Sequence, residues 1–415
     1  MKELAAGGHA ALEVNPDGVG EADVVMGLYA ANDAGNMELA VAKASGGAAR
    51  YHPELKSVLV CSDAASGDGT REAFFAAPCE TPRVYVSTSG DPAERTKRTR
   101  FFNIVATAAK LKAKAVVTFE ASTATIKKTW YPRLLDPILE NGACFTSPLY
   151  SRHIFDLPIT YLLSYPLFRT LFGRRLRNLH LGDCAFSGEL NGLFLNTSRW
   201  PAEPAFCSTE IATAALAVSS GPVFQSFMGD PRVSRERLPV DTGIGAEFCR
   251  TLRSFYQMME LYPELWKKPR NSRPTPVTGA DIKAEILPSR QLVGAPAAFQ
   301  ALVANAAMET RGVWETEFSK HMGLWSVLKD PPAAGVNVPA ADWADLLFRG
   351  AAAYRCLKGE GEMVIRALMP VFLARLLDYK KLTSSAAASQ ITASIESECE
   401  VFEKAKPKLA ALWGD

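Results

Sequence analysis

The sequence predicts an α/β protein with a doubly wound, mostly parallel sheet, followed by an all-α C-terminal domain. Short apolar runs alternate with segments of helical periodicity from residue 23 to about residue 240, which is typical of parallel sheets with crossover helices. From about residue 280 onward only helical periodicity remains. Between these parts, residues 267–277 have the sequence KKPRNSRPTPV, whose prolines and charges indicate a linker.

Six apolar runs in the first part have the length of buried strands. In chain order they are Asp23–Tyr29, Ser57–Cys61, Arg83–Ser87, Ala115–Phe119, Phe145–Leu149 and Val223–Met228. Ligands of parallel sheets bind beyond the carboxyl ends of the strands. We therefore expect the functional site in the loops that follow Tyr29, Cys61 and Phe119.

Helical spacing of apolar residues marks the remaining segments. In the first part the predicted helices are Asn36–Ala48, Arg71–Ala77, Thr99–Leu111, Trp130–Glu140, Glu210–Ser219 and Gly245–Tyr262. In the last part they are Ala297–Met308, Val313–Trp325, Trp343–Leu357, Met363–Tyr379 and Gln390–Ala405. The expected domains are an N-terminal extension (1–22), an α/β domain (23–266), a linker (267–280) and a helical domain (281–415).

Composition and charge exclude several classes of function. The 415 residues carry a net charge of +2, which gives no electrostatic reason to expect nucleic acid or an anionic membrane as the main partner. No run of about 18 apolar residues is present, so no membrane span is expected, and the N-terminus lacks the apolar core of a signal peptide. The eight cysteines are scattered without a CxxC pair, as in the reduced thiols of a cytoplasmic protein.

The segment Ser62–Thr70, SDAASGDGT, lies where the second predicted strand meets a helix. Small residues in such a turn let the backbone approach a flat ring, and an acid at a strand end can accept hydrogen bonds from a base or ribose. Asp68 and Thr70 can also cap the helix that follows. Spacing alone does not distinguish this arrangement from an ordinary strand–turn–helix connection, because such turns are common.

Three segments together resemble family 2-like glycosyltransferases of the GT-A fold. The strand followed by SDAASGDGT is similar to their N-terminal half. Gly182–Leu190, GDCAFSGEL, is similar to the acceptor loop of the retaining mannosylglycerate synthase and glucosyl-3-phosphoglycerate synthase group, and Cys399–Trp413 resembles the C-terminal helix of its bacterial members. The resemblance implies a Rossmann-like GT-A sheet, a nucleotide-diphosphate sugar as donor and a small-molecule acceptor.

The resemblance also implies a set of site residues. On the donor side, the nucleotide sugar would be contacted by Ala30, Asn32, Asp33, Ser62, Asp63, Lys97, Arg98, Glu120 and Ser122. On the acceptor side, binding falls to Arg152, Gly182, Gly188 and Glu210, and catalysis to Asp183 and Glu189. Two alternatives stay open. The basic run Arg95–Arg100 also fits a solvated helix N-terminus, although four basic residues there oppose the helix dipole and suit a phosphate, and Glu189 also fits a structural acid that bonds backbone amides.

The metal motif departs from the pattern of this family. Such enzymes end their fourth strand in Asp-x-Asp and bind Mg²⁺ or Mn²⁺ through the last Asp and a His. Here Glu120 and Ser122 stand at the two acidic positions, and Val233 stands where the His is expected. Glu120 is therefore the one candidate metal ligand, and we expect a weak divalent-metal site or none. Side chains such as Lys97, Arg98 or Arg232 could screen the diphosphate instead.

Two functions are consistent with these observations. The first is a retaining hexosyltransferase that moves a hexose from a nucleotide-diphosphate sugar to a hydroxy-acid or phospho-acid such as glycerate or phosphoglycerate. The alternative is a catalytically degenerate protein of the same fold that binds nucleotide sugars or has a regulatory role. A dinucleotide-dependent dehydrogenase is disfavoured, because no GxGxxG follows the first strand. The one macromolecular partner considered is a second copy of the chain, in a homodimer.

Overall fold

The computed structural model describes two compact units that are interleaved in sequence. The described residues are 12–91, 95–151, 158–179, 182–196, 198, 200, 208–233, 240–268, 271–281, 296–332, 335–357 and 359–414. The α/β unit comprises Met1–Arg152, Asn178–Arg237 and Thr275–Leu287, and the helical unit comprises His153–Arg177, Leu238–Pro274 and Pro288–Asp415. Two inner segments of the chain therefore group with the C-terminal helices. The sequence predicted instead an α/β domain (23–266) followed by a helical domain (281–415).

Eleven strands are present in the described residues. They are β1 (Leu12–Val14), β2 (Val24–Ala30), β3 (Ser57–Asp63), β4 (Arg83–Ser87), β5 (Ala115–Glu120), β6 (Phe145–Leu149), β7 (Arg174–Arg175), β8 (Cys184–Ser187), β9 (Val223–Phe227), β10 (Arg273–Pro274) and β11 (Val277–Thr278). Nine of them form one sheet in the order β1-β4-β3-β2-β5-β8-β6-β9-β11. Only β1 and β8 run antiparallel to their neighbours. The predicted mostly parallel sheet is confirmed.

Fifteen α-helices are assigned in the described residues. They are α1 (Ala34–Tyr51), α2 (Thr70–Ala76), α3 (Lys97–Lys110), α4 (Trp130–Leu139), α5 (Tyr165–Phe172), α6 (Gly188–Phe194), α7 (Thr209–Ser220), α8 (Val240–Leu261), α9 (Pro263–Lys267), α10 (Pro296–Glu309), α11 (Arg311–Thr316), α12 (Met322–Leu328), α13 (Ala340–Cys356), α14 (Gly361–Ser385) and α15 (Ala388–Trp413). A π-helix spans Thr160–Ser164 and a 3₁₀ turn spans Ser319–His321. In the part of the chain that the structure describes, no helix is long and apolar enough to cross a membrane.

Helices cover both faces of the large sheet. On one face, Met26 of β2 and Val117 of β5 share a core with Val41 of α1 and Leu134 of α4. On the other face, Phe101 of α3 belongs to an aromatic cluster, with ring centroids 6.1 Å from Phe186, 5.4 Å from Phe194 and 5.6 Å from Trp200. Because both faces are covered, β2 is buried at all seven positions. Such burial explains why its sequence is a continuous apolar run.

The helical unit is built around large aromatic side chains. Phe248 of α8 stacks on Phe372 of α14 with ring centroids 4.6 Å apart. The predicted helix Val313–Trp325 is interrupted by the 3₁₀ turn, where Phe318 packs edge-on against Trp314 at 5.4 Å. Both of these rings are fully buried. The predicted helical C-terminal region is confirmed.

Candidate functional site

Three adjacent parallel strands bring the predicted donor-side residues to one edge of the sheet. Ala30 of β2 is in register with Asp63 of β3, and Tyr29 of β2 is in register with Glu120 of β5. Asn32 follows the end of β2. The structure thus places Asn32, Asp63 and Glu120 at the carboxyl ends of neighbouring strands, where ligands of parallel sheets bind.

Strand β8 reaches the same edge from the opposite direction. Cys184 pairs with Thr118, so Gly182 and Asp183 lie beside the end of β5. A Cβ atom on Gly182 would lie 1.9 Å from Cγ of Glu120. The Glu120 side chain therefore packs directly on the Gly182 backbone, and this close approach requires glycine.

The turn after β3 is closed by its own side chains. Asp63 Oδ2 accepts hydrogen bonds from the Ser66 amide at 2.7 Å and from the Tyr85 hydroxyl at 2.8 Å, and Oδ1 accepts one from Ser66 Oγ at 2.5 Å. The backbone amide of Asn32 donates to Ser66 Oγ at 2.7 Å, and this hydrogen bond connects the loop after β2 to the turn. Asp63 is fully buried. Its carboxylate fixes the shape of the two loops.

The same turn anchors the start of α1. Asp68 Oδ2 accepts a hydrogen bond from the Ala34 amide at 3.0 Å, and Asp68 Oδ1 accepts one from the Thr70 amide at 3.1 Å. The Asp33 amide donates to Thr70 Oγ1 at 2.9 Å. The Asp33 carboxylate accepts from the Ala31 amide at 2.9 Å, and burial raises its pKa. Asp33, Asp68 and Thr70 thus hold the beginnings of α1 and α2 together.

Lys97, the first residue of α3, bridges two carboxylates. Its Nζ lies 2.8 Å from Oε1 of Glu120 and 2.7 Å from Oε1 of Glu210, which stands in the first turn of α7. Burial alone would lower the pKa of the Lys97 ammonium. The two carboxylates outweigh burial and raise that pKa above its usual value. Lys97 is therefore a permanently charged bridge at neutral pH.

Asp183 forms a second ion pair in the same place. Its Oδ2 lies 2.6 Å from Nε of Arg232 and accepts a hydrogen bond from the Tyr150 hydroxyl at 2.5 Å. Its Oδ1 accepts a hydrogen bond from the Glu120 amide at 3.0 Å, so the two ion pairs are joined. We call Lys97, Glu120, Tyr150, Asp183, Glu210 and Arg232 the edge cluster.

A third cation, Arg100, lies beside the edge cluster. Its Nη1 donates to the carbonyl oxygen of Ala30 at 3.3 Å, and its buried Nε has no acceptor among the described residues. Burial would raise the pKa of Glu120, but the charges of Lys97, Arg232 and Arg100 lower it to about 2. Glu120 is therefore an ionised carboxylate surrounded by three cations.

The edge cluster stands where a divalent ion is expected, and its donor set does not fit one. Glu120 is paired with Lys97 and Asp183 with Arg232. Val233 lies beside the turn after β5, since its amide donates to Thr125 Oγ1 at 2.9 Å, and it offers no metal ligand from its side chain. Among the described residues no group of three or more His, Cys, Asp or Glu could hold a metal ion. Mg²⁺ and Mn²⁺ need several hard oxygen ligands. Here the carboxylates of Glu120 and Asp183 are already paired with cationic side chains.

Two residues predicted for the acceptor and reaction site lie at the other edge of the sheet. Ser187, the last residue of β8, pairs with Ala115 at the start of β5, and the Gly188 amide donates to the Lys114 carbonyl at 2.7 Å. Glu189 is exposed in the first turn of α6. The four residues of β8 separate the two ends by about 13 Å. The structure therefore does not bring Gly188 and Glu189 to the site of Gly182 and Asp183, because β8 is a strand and not a loop.

The remaining predicted site residues do not belong to the edge cluster. The Arg98 guanidinium lies over the rings of Phe102 and Trp200, 5.6 and 5.5 Å from their centroids, in the aromatic cluster under α3. Ser62 is buried in β3, and its Oγ has no hydrogen-bond partner among the described residues. Ser122 is half-buried in the turn after β5. Arg152 lies outside the described residues.

Tyr150 is not among the site residues that the sequence predicts, and Arg100 has no individual role among them. Arg100 lies three residues after Lys97 on α3, a spacing that puts two side chains on one helix face. Tyr150 directly follows β6, so it stands at a strand end like the other members of the edge cluster. Both signals are visible in the sequence once the strand order is known.

The chain has a distant structural resemblance to a GT-A glycosyltransferase, glucosyl-3-phosphoglycerate synthase from Mycobacterium tuberculosis. The complex of that protein with phosphoglyceric acid matches with a TM-score of 0.41 and 18% identity, covering 58% of this chain and 80% of that chain. The complex with Mn²⁺, uridine-diphosphate and glucosyl-3-phosphoglycerate matches with 0.42 and 18%, over 58% and 80%. The complex with Mg²⁺ and uridine-diphosphate matches with 0.41 and 17%, over 58% and 79%. No protein-family model and no curated protein sequence matches this chain.

Proposed function

We propose that the protein binds a nucleotide-diphosphate sugar at the edge cluster and transfers its hexosyl group, with retention, to a hydroxy-acid or phospho-acid such as glycerate or phosphoglycerate. The observation that carries the proposal is the set of three cations, Lys97, Arg100 and Arg232, around Glu120. They lie beyond the carboxyl ends of parallel strands. The resemblance of SDAASGDGT to the N-terminal half of glycosyltransferases supports the choice of donor, and that of GDCAFSGEL supports the choice of acceptor.

The diphosphate would be held by side chains. Guanidinium and ammonium groups make strong, charge-assisted hydrogen bonds to phosphate oxygens, and arginine does so with a fixed fork of donors. Arg100 has a buried Nε without an acceptor among the described residues, so it can accommodate such a ligand without breaking an ion pair at that atom. A leaving nucleoside diphosphate gains negative charge during transfer, and cations fixed in place stabilise that charge.

Of the two acids assigned to catalysis, Asp183 remains in this site as a positioning residue. It holds Arg232 through Nε at 2.6 Å and fixes the backbone of Glu120 through the amide. Glu189 lies at the other edge of the sheet, so no role in the transfer is proposed for it.

Calorimetry with UDP-glucose and GDP-glucose in the presence of chelator tests donor binding. We expect one of the two donors to bind without divalent metal, and Lys97→Met and Arg100→Met each to weaken binding at least tenfold. Lys110→Met is the matched control, because Lys110 lies at the far end of the same helix and pairs with Glu13 on the surface. Binding that requires Mn²⁺ and is unchanged in both variants would contradict side-chain recognition of the diphosphate.

A second candidate function is a binding or regulatory protein that performs no transfer. The observation that favours it is that the described carboxylates of the edge cluster all face cations or hydrogen-bond donors, which leaves no evident base. An assay of hexose transfer to glycerate and 3-phosphoglycerate separates the two functions. Donor binding with no product from either acceptor would assign the second function.

A further inference from the structure

The helical unit contains a cavity of about 230 Å³ that is unrelated to the edge cluster. Its walls come from the π-helix, residues 337–338, α14 and α15. The residues that define its chemistry are Tyr161, Leu162, Arg375, Asp378, Tyr379 and Glu398. An apolar cavity of roughly 150 Å³ can already hold benzene, so this cavity is large enough for a small organic molecule.

A buried ion pair in the cavity wall has unsatisfied atoms on both partners. Arg375 Nη2 lies 2.6 Å from Oε2 of Glu398, and Nη1 donates to the carbonyl oxygen of Val338. Arg375 is 8% exposed. Arg375 Nε and Glu398 Oε1 are both buried and have no hydrogen-bond partner among the described residues. Buried polar atoms are normally satisfied, so the orphan acceptor Glu398 Oε1 at a cavity indicates a missing hydrogen-bond donor.

The backbone of the cavity wall is also unusual. Tyr161 and Leu162 belong to the π-helix Thr160–Ser164, a rare conformation that occurs frequently at functional sites. The carbonyl oxygen of Leu162 accepts a hydrogen bond from Trp343 Nε1 at 2.8 Å, which holds the π turn in place. The π-helix is an observation independent of the ion pair, and both lie at the same cavity.

Acidic groups outnumber basic groups among the cavity-lining residues. Glu398 and Asp378 face a single guanidinium, that of Arg375. Burial raises the pKa of both carboxyl groups, which means that the cavity stabilises their negative charge poorly. Lys381 Nζ lies 3.9 Å from Asp378, but its side chain is 58% exposed, so this pair is weak. A cation in the cavity would correct the imbalance, and the rings of Tyr161 and Tyr379 can add cation–π attraction.

We propose that this cavity binds a small organic amine, with its ammonium at Glu398 and Asp378 and its apolar body against Tyr161 and Leu162. The ammonium supplies the donor that Glu398 Oε1 lacks. The proposal does not depend on the function of the edge cluster.

Saturation-transfer NMR and calorimetry with benzylamine on the full chain test the proposal. Benzyl alcohol and benzoate are the matched probes, because they keep the ring and replace the ammonium by a neutral or a negative group. We expect benzylamine to bind at least tenfold more tightly than either. Glu398→Gln keeps the shape and an acceptor for Arg375, and we expect it to weaken benzylamine binding at least tenfold.

A second variant keeps the test independent of the buried ion pair. Ser394 lies at the cavity and is exposed, so Ser394→Tyr should block the cavity and abolish binding without disturbing the core. Ser397→Tyr, on the same helix but away from the cavity lining, should bind benzylamine normally. No benzylamine binding up to about 10 mM, equal binding of the alcohol or carboxylate, or unchanged binding in both Glu398→Gln and Ser394→Tyr would overturn the proposal.

Discussion

Carboxylates at two places on the same edge of the sheet are satisfied in different ways. In the turn after β3, Asp63 accepts hydrogen bonds from the Ser66 amide, the Ser66 hydroxyl and the Tyr85 hydroxyl, all of them neutral donors. In the edge cluster, Glu120 is paired with Lys97, and Asp183 is paired with Arg232 in addition to hydrogen bonds from the Tyr150 hydroxyl and the Glu120 backbone amide. The first arrangement fixes loop shape, and the second places cationic side chains at the site.

The difference matters for ligand binding. An anionic ligand can bind a lysine or arginine that is already in an ion pair. The cationic side chain can bind a phosphate oxygen in addition to its carboxylate partner or in place of it. An anionic ligand competes poorly with Asp63 for the Ser66 amide, because the backbone of the turn fixes that amide. We therefore propose that the edge cluster recognises the diphosphate and that the turn shapes the base and ribose pocket.

Arg232→Met gives the largest effect that this comparison predicts. The substitution leaves Asp183, which is 1% exposed, as a buried carboxylate without its cation. Removing one partner of a buried ion pair typically costs about 3–5 kcal/mol of the free energy of unfolding. Urea unfolding followed by tryptophan fluorescence measures it.

Arg71→Met is the matched control for Arg232→Met. Arg71 pairs with Glu72 on the surface, where both side chains are about half exposed or more, and such pairs contribute about 0.2–1 kcal/mol. A loss below about 1 kcal/mol in Arg232→Met would mean that Tyr150 and the Glu120 amide satisfy Asp183 alone, and the contrast between the two regions would disappear.

The charge of Glu120 predicts the second effect, on acid stability. Its pKa is about 2 in the folded protein and near 4.5 in an unfolded chain, so its ion pairs stabilise the fold fully above pH 4.5. That contribution, about 3 kcal/mol, is lost as the pH falls from 4.5 towards 2. In Glu120→Gln the free energy of unfolding should therefore depend less steeply on pH in this window.

Glu315→Gln is the control for the acid-stability experiment, because Glu315 forms an exposed i,i+4 pair with Arg311. Its unfolding free energy should follow the wild-type curve between pH 2 and 4.5. If the free energy of unfolding falls with pH below 4.5 equally in Glu120→Gln and the wild type, the cations around Glu120 do not hold it ionised.

The two regions also differ in how far the sequence predicts them. The strands Arg83–Ser87 and Phe145–Leu149 lie where the apolar runs place them, because each is buried and bounded by polar or small residues. Local chemistry of this kind is visible in a single sequence. Asp68 and Thr70 were predicted to cap α2, but the N-cap of α2 is Gly69 without a side-chain cap. Asp68 instead accepts hydrogen bonds from the Thr70 amide and from the Ala34 amide at the start of α1.

The edge cluster could be predicted only in part. Asp183 and Arg232 are 49 residues apart, and Tyr150 and Asp183 are 33 apart, so no local pattern pairs them. The strand β8 was missed, because its four residues are too short for periodicity to show. The resemblance of GDCAFSGEL to an acceptor loop grouped Glu189 with Asp183, whereas the two lie at opposite ends of β8.

Gly182→Ala tests how tightly the edge cluster is packed. The new Cβ would lie 1.9 Å from Glu120 Cγ, so the Glu120 side chain must move and its contact with Lys97 is disturbed. Overpacking of this kind costs about 1–3 kcal/mol, and donor binding should weaken as well.

Gly192→Ala is the matched control for Gly182→Ala. Gly192 is exposed in α6 with nothing within 4 Å of its Cβ position, so alanine should be neutral or stabilising. Equal stability of the two variants would mean that Glu120 can leave Gly182 freely.

Ser66→Ala gives the smallest effect and tests the turn. The hydroxyl of Ser66 donates to Asp63 Oδ1 at 2.5 Å and accepts from the Asn32 amide at 2.7 Å, so it joins the loops after β2 and β3. Asp63 keeps the Ser66 amide and the Tyr85 hydroxyl, and Asn32 is exposed to water, so the loss should be about 1 kcal/mol. Ser198→Ala is the control, because Ser198 is exposed and its described hydrogen bonds are local, to Asn196. Under the proposed function the turn shapes the base and ribose pocket and supplies no cation for the diphosphate. We therefore expect Ser66→Ala to weaken binding of a UDP- or GDP-sugar but to leave binding of inorganic pyrophosphate unchanged. A parallel loss of pyrophosphate binding would show that the turn and the edge cluster act as one unit.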